Sequence, residues 1–265
     1  MSAGLYHTCA LGDGGGVTCF GSPAAGGPPS NLGTVVQISA GGIHSCALDD
    51  QGTVTCWGYN ANGQTDVPTG LGRVLQVSAG NFHTCALNEV RAVVCWGLGS
   101  SGQTDVPTTL QGVVQVSTGD SVSCALDGAG NVTCWGLVSS GVTNVPSDLE
   151  HPREISAGGY HACAVQASRS PRCWGSSTYG EAATPTDLGS LAHISAGRNH
   201  SCAVDLSGSA RCWGANAENQ SQVPSDLGSV ASVSAGGYHT CSIDDGGTLR
   251  CWGSNSHGQR DVPNP

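Results

Sequence analysis

The sequence predicts an all-β fold, a seven-bladed β-propeller of short antiparallel four-stranded blades. Three observations point there. A Ser-Ala-Gly marker recurs at Ser2, Ser39, Ser78, Ser156, Ser195 and Ser234, with a Ser-Thr-Gly variant at Ser117, spaced by 37 and then by 39 residues. Repeats of that size are one supersecondary unit each. Within every copy, short runs of alternating apolar residues are separated by Gly- and Asp-rich turns, the period of strands rather than helices. Gly supplies 41 residues and charged residues only 11%, which suits many tight turns and offers no amphipathic helix.

The second copy shows the elements in order. Val35 to Ser39 alternates as a first strand and His44 to Asp49 reads as a second. Asp50, Gln51 and Gly52 make a tight hairpin loop into a third strand, Thr53 to Trp57. Asn60 to Gln64 is rich in turn formers. Asp66 to Leu71 reads as a short fourth strand, which Pro68 restricts to an edge. Four strands in about 39 residues is the size of one blade. Seven copies starting near 2, 39, 78, 117, 156, 195 and 234 make one propeller domain spanning 1–265. The Val-x-Gln-Val run that precedes the other markers is missing before Ser2, so one blade is expected to be short of a strand at the seam, or to be completed by another chain.

All fourteen cysteines sit in the repeats as pairs ten residues apart: Cys9/Cys19, Cys46/Cys56, Cys85/Cys95, Cys124/Cys134, Cys163/Cys173, Cys202/Cys212 and Cys241/Cys251. A hairpin centred on Gln51 puts Cys46 opposite Cys56 on the same face, because side chains alternate along a strand. Opposed residues of a non-hydrogen-bonded pair lie within disulfide reach. The expectation is one hairpin disulfide per blade; paired thiols in a reducing cell and a zinc site using His44 and Cys46 are the alternatives. An even set of bridged cysteines suits an oxidising compartment, so the chain is read as secreted, periplasmic or displayed at a cell surface.

Six Trp residues follow the second Cys, at Trp57, Trp96, Trp135, Trp174, Trp213 and Trp252, with Phe20 in the first copy. Their recurrence at one slot reads as packing between blades. Five residues after the marker comes His7, His44, His83, His161, His200 or His239, replaced in the fourth copy by Val122. These read as structural, bonding backbone near a strand end.

Taken together, Ser-Ala-Gly-Gly-x-His-Ser-Cys-Ala-Leu followed by Gly-x-Val-x-Cys-Trp-Gly-x-Asn-x-x-Gly-Gln resembles the repeat of the regulator of chromosome condensation family, over essentially the whole chain. The resemblance implies a seven-bladed propeller. The Gly-Gln-Thr-x-Val-Pro segments at Gly63 to Pro68 and Gly102 to Pro107 are most similar to the bacterial branch of that family that inhibits β-lactamases, whose members grip an enzyme with loops of one face. The regular Cys pairs are not part of that branch, so the resemblance does not carry the target over. The nucleotide-exchange role of the eukaryotic members fits an acidic, Cys-paired chain poorly.

Charge excludes further classes. The nine basic residues are all Arg and the net charge is −10. Nucleic-acid binding needs basic side chains that displace counterions, so nucleic acid is excluded as a partner. No apolar run reaches the length of a membrane helix. The chain opens directly on repeat material with no secretory signal, as expected of a chain whose signal peptide has been removed. Candidate nucleophiles and bases recur in repeated slots rather than converging once, so no catalytic residues, metal ligands or cofactor are assigned and the chain is read as a non-enzyme.

Binding residues should be those that break the repeat. Strands alternate in direction, so the loop between the first two strands and the loop after the third emerge on one face. There lie Tyr6, Tyr59, Phe82, Asp120, Tyr160, Tyr179, Arg198 and Tyr238, the aromatic, acidic and Arg residues chosen as partner-binding candidates. Aromatic and Arg side chains are favoured interface anchors. The mixed character of the loop slots points to a monomer gripping one asymmetric protein partner, with a glycan as the alternative ligand.

Overall fold

A computed structural model describes residues 1–263; the last two residues of the expected domain lie outside the described residues. It contains seven antiparallel sheets, one per repeat, each of three strands in sequential order. In the second blade these are Val35–Ala40, His44–Asp49 and Val54–Gly58. The first strand of every blade contacts that of the next, including Ser2–Ala3 against Ser232–Ala235, so the first strands form the inner ring around a central channel.

The expected fourth strand does not form. Pro68 has no N–H to offer a neighbour, and the residues before it close on themselves, with Asp66 N–H bonded to Gly63 O and Val67 N–H to Thr65 O. The segment still carries two apolar side chains, Val67 and Leu71, which pack against the cluster formed by blades two and three. An apolar, Pro-containing run therefore becomes an anchored connector between blades rather than an edge strand. The expected loss of a strand at the seam does not occur: blade one has three strands like the other six, and only its first strand is shortened, to Ser2–Ala3 where its counterparts run to four or six residues.

The marker is explained by the junctions between blades. Each marker Ser accepts the backbone N–H of the residue after the next blade's marker Ser: Ala40 N bonds Ser2 Oγ, Ala79 N bonds Ser39 Oγ, and so on round to Ala3 N on Ser234 Oγ, all at about 3 Å. The Gly that follows has no room for a side chain, since a Cβ on Gly41 would meet Gly80 O at 2.3 Å. The same carbonyls receive a backbone bond across the junction, such as Gly42 N to Gly80 O at 3.0 Å and, at the seam, Gly237 N to Gly4 O at 3.0 Å.

Each blade carries its own disulfide at ten-residue spacing: Cys9–Cys19, Cys46–Cys56, Cys85–Cys95, Cys124–Cys134, Cys163–Cys173, Cys202–Cys212 and Cys241–Cys251, with Cα atoms 4.0 or 4.1 Å apart. They take up every thiol among the described residues, which sets aside the zinc reading. The spacing treats the two halves of a bridge alike, but the structure does not. The Cys on each middle strand is fully enclosed, whereas Cys19, Cys56, Cys95, Cys134, Cys212 and Cys251 on the third strands are only partly buried. Cys173 is the exception, buried in the cluster of blades five and six. The missing fourth strand is the reason: without it the third strand is the outer edge of its sheet.

The Trp rings pack between blades as expected: Trp96 of blade three sits in one cluster with Cys46, Leu48 and Val54 of blade two. Its indole N–H donates to Gln64 O at 3.0 Å, and Trp135, Trp174, Trp213 and Trp252 repeat that bond.

The recurrent His residues do not bond backbone. Each Nε2 meets the hydroxyl of the next blade: His7 with Ser45, His44 with Thr84, His83 with Ser123, His161 with Ser201, His200 with Thr240, and His239 with Thr8, at 2.7 to 2.9 Å. At five of these junctions the hydroxyl donates its only proton to a backbone carbonyl, as Thr84 does to Gln64 O, so it must accept from Nε2–H. Nε2 therefore carries a proton at these five junctions. Burial pushes the imidazoles down to about 3 or 4 and keeps them uncharged.

Candidate functional site

The loops at one mouth of the channel bring several of the expected residues together. The residue after each marker tripeptide is Gly42, Gly159 or Gly237 in three blades, but Leu5, Asn81, Asp120 and Arg198 in the others. Arg198 of blade six reaches across the channel mouth. Its Nε lies 3.2 Å from Asp120 Oδ2 of blade four, and its Nη1 donates to the Tyr238 hydroxyl of blade seven at 2.6 Å. The path crosses Gly159 of blade five, where a Cβ would stand 3.0 Å from Arg198 Cγ. Absence of a side chain at 159 thus leaves the lane open.

Charge is stored in this bridge. Burial works against the Arg198 guanidinium, but Asp120 and the hydroxyls of Tyr160 and Tyr238 outweigh it and hold its pKa above the usual value. Burial pushes the Asp120 carboxyl up, and Arg198 draws it back only in part. The guanidinium also lies 5.7 Å from the centroid of the Tyr238 ring. Tyr238 continues the strip by stacking on Tyr6 at 6.1 Å, and Tyr6 meets His257 at 4.8 Å.

Beside the bridge is a cleft of about 700 Å³ spanning blades four to seven. Tyr160, Tyr179, Arg198 and Tyr238 line it. Its walls arise where the repeat degenerates. After blade four the usual Asn-x-x-Gly-Gln turn is replaced by Val-Ser-Ser-Gly-Val, and Val138–Ser140 winds into a 3-10 turn. After blade five Glu181 stands in the Gln slot, buried, accepting the Tyr179 N–H at 2.7 Å and the Ser176 hydroxyl at 2.9 Å. That holds Tyr179 up at the rim, 58% exposed.

Tyr59 and Phe82 form a separate pair on blades two and three, 6.3 Å apart edge to face, outside the cleft. Asp120 is spent on Arg198 rather than offered to solvent, with its side chain 13% exposed. The choice of slots missed His257, and it missed Ser139, Ser140, Ser177, Thr178 and Asn199 as cleft lining. The signal for the hydroxyl residues was present: they occupy two of the stretches where the repeat's turn sequence fails.

Four segments, residues 35–64, 74–103, 192–220 and 230–259, match the model of the regulator of chromosome condensation (RCC1) repeat. Over those four segments the chain is similar to the RCC1 repeat. Each matched segment begins at or close to the start of a first strand and ends at the residue whose carbonyl receives the Trp indole or its equivalent hydroxyl. Among solved structures, the repeats resemble the ectodomain of the Physcomitrella patens receptor kinase CR4, at 26% identity and a TM-score of 0.78, over 95% of this chain and 72% of that one. The CRINKLY WD40 ectodomain of the Arabidopsis thaliana receptor kinase ACR4 is similar at 28% identity and 0.76, over 93% and 92%. Prp20p of Saccharomyces cerevisiae shares the fold at 18% identity and 0.74, over 96% and 82%. No protein of curated function matches the sequence.

Seven disulfides and the likeness to two receptor ectodomains fit a secreted or extracellular protein. Among the described residues, no helix is long and apolar enough to cross a membrane.

Proposed function

We propose that this chain is a non-catalytic, single-domain, monomeric binding propeller of a secreted, periplasmic or cell-surface setting, which grips a protein partner with the loops at one mouth of its channel. The observation that carries this reading is the strip His257–Tyr6–Tyr238–Arg198–Asp120, assembled from four blades and fixed by stacking, a cation over a ring and an ion pair. Rigid aromatic anchors held before binding lose little entropy when a partner docks. The reading of the chain as a non-enzyme is supported by the state of its recurrent imidazoles, which are buried, neutral and committed to hydroxyls of the next blade.

The Gly-Gln-Thr-x-Val-Pro connectors and the use of one propeller face favour an inhibitor of a secreted enzyme as the form of that binding. The test is capture from secreted proteins with the intact chain, followed by Phe82→Ala, Tyr160→Ala, Arg198→Ala and Tyr238→Ala. Removing a central anchor should cost about 2 kcal/mol or more of binding. If all four variants hold the captured partner as the parent does, the opposite face, with its Asp50-Gln51-Gly52 type hairpins, is the binding face and this reading is wrong.

A further inference from the structure

We propose that the cleft across blades four to seven is a binding site for a neutral sugar residue, so that the partner gripped by this face presents a glycan there. The inference rests on the reading of this face as the binding face. It adds the chemistry of what enters the cleft.

The size falls in the range of small-molecule sites, about 300–1,000 Å³. The lining, however, is unlike an apolar pocket. Leu137 is its one aliphatic side chain, against three Tyr rings, five Ser or Thr hydroxyls and the Asn199 amide. An apolar peptide side chain would find few aliphatic walls to replace its water.

A charged ligand would find no free counter-charge. Only two lining side chains are ionic, and both are committed. Arg198 is held by Asp120 at 3.2 Å and gives Nη1–H to Tyr238 at 2.6 Å. The Glu181 carboxylate is buried in the floor, one oxygen accepting from Tyr179 N and the other from Ser176 Oγ. What the cleft offers is therefore neutral. Because the Tyr238 oxygen accepts from Arg198, its own proton is left to donate elsewhere. Asn199 supplies donor and acceptor together, and the Ser and Thr hydroxyls do the same.

A pyranose matches that inventory. Its hydroxyls donate and accept at the ring edge, while its C–H face covers an aromatic ring with an apolar body and a polar tip. Tyr179, 58% exposed at the rim and fixed through its backbone N–H by Glu181, is the platform in position to receive it. Arg198 is then a positioning residue: it sets Tyr238 and does not itself reach for the ligand.

The experiment is a printed array of neutral and acidic oligosaccharides probed with the intact chain, then calorimetric titration of the best soluble binder. The expected result is binding to a neutral saccharide that Tyr179→Ala and Asn199→Ala each weaken by about thirtyfold, the loss typical of a central anchor. Gln51→Ala, in an exposed hairpin of the opposite face, should leave that affinity unchanged. Arg198→Lys keeps a charge beside Asp120 but loses the fork that holds Tyr238, and should weaken saccharide binding as well. Binding only to acidic glycans, binding insensitive to Tyr179→Ala and Asn199→Ala, or no saccharide binding overturns the proposal. If no saccharide binds while a captured protein is lost on Tyr160→Ala or Tyr238→Ala, the sugar site falls and the protein-binding reading stands.

Discussion

Val122 and Ala162 share one apolar cluster at the junction of blades four and five, at the two positions that hold a His and a hydroxyl at the other six junctions. Val142, in the same cluster, replaces the Gln or Glu whose carbonyl serves the hydroxyl at several other junctions. Two polar members, the imidazole and the hydroxyl, are thus lost together, while the backbone carbonyl is kept and still receives the Trp174 indole at 2.8 Å. Losing both partners of a buried hydrogen bond can be nearly neutral, whereas losing one strands the other at about 1–3 kcal/mol.

A double-mutant cycle at the junction of blades three and four should reproduce that history. His83→Val alone should destabilise by about 1–3 kcal/mol in denaturant unfolding of the oxidised protein. Adding Ser123→Ala should cost less than the sum of the two single changes. In the dry junction, Val122→His should be destabilising and Ala162→Ser should recover part of the loss. Strict additivity in both cycles would show that the recurrent His–hydroxyl contacts are not coupled.

Acid should unfold the protein through the six recurrent imidazoles. Their folded pKa values lie at about 3 or 4, below the ordinary value of 6.5. The unfolded chain therefore binds more protons over that interval, and stability falls as pH drops from about 6.5 towards 3. Unfolding at pH 5 should take up several protons, measurable as the slope of stability against pH, and His83→Val with Ser123→Ala should reduce the slope by about one proton. A flat profile across this window would contradict the buried, neutral assignment.

His193 should act in the opposite direction. Its Nδ1 lies 2.6 Å from Glu154 Oε1 and its Nε2 lies 2.9 Å from Val233 O, so both ring nitrogens face acceptors and the imidazolium satisfies both. Burial works against that charge, but Glu154 and the Val233 carbonyl outweigh it and raise the pKa above 6.5. The stability it contributes is fully present below pH 6.5 and is lost as pH rises through the folded value. In blades two and four the same slot holds Gln37 and Gln115, each bonding both the N–H and the C=O of the next inner strand. The variant Glu154→Gln with His193→Gln should erase the mildly alkaline part of the pH profile and leave the acidic part intact.

Trp135→Ala should separate folding from binding. The ring is buried against the Cys85–Cys95 disulfide of blade three, and its removal should cost about 3–5 kcal/mol of stability. Binding by the fraction that remains folded should be unchanged. Peptide mapping without reduction should recover seven crosslinks, each at ten-residue spacing. Crosslinks between blades would refute the hairpin register.

The repeat, three strands of each blade, the disulfides and the Trp packing were all legible in the sequence, because strands and hairpin bridges follow local spacing and a residue type held in the same slot of successive copies is visible when the copies are compared. The connector was misread, since Val67, Pro68 and Leu71 have the apolar spacing of a strand while serving as anchors of a loop. The hydroxyl partner of each His lies in the next blade, 38 or 40 residues on or across the seam, so no single repeat contains it. One clue was visible: the copy that loses its His, at Val122, is followed by the copy that loses its hydroxyl, at Ala162. Of the eight binding candidates, four line one cleft, and their convergence depends on Arg198 crossing Gly159, which no linear pattern reveals.

The bond from Ala3 N–H to Ser234 Oγ that joins the last blade to the first is the same bond that joins all the others. Among the described residues, no strand is shared between distant parts of the chain to fasten the circle. Covalent order is therefore nearly invisible to the folded ring: the junction where the first and last repeats meet is held by the same bonds as the junctions between repeats that follow one another in the chain.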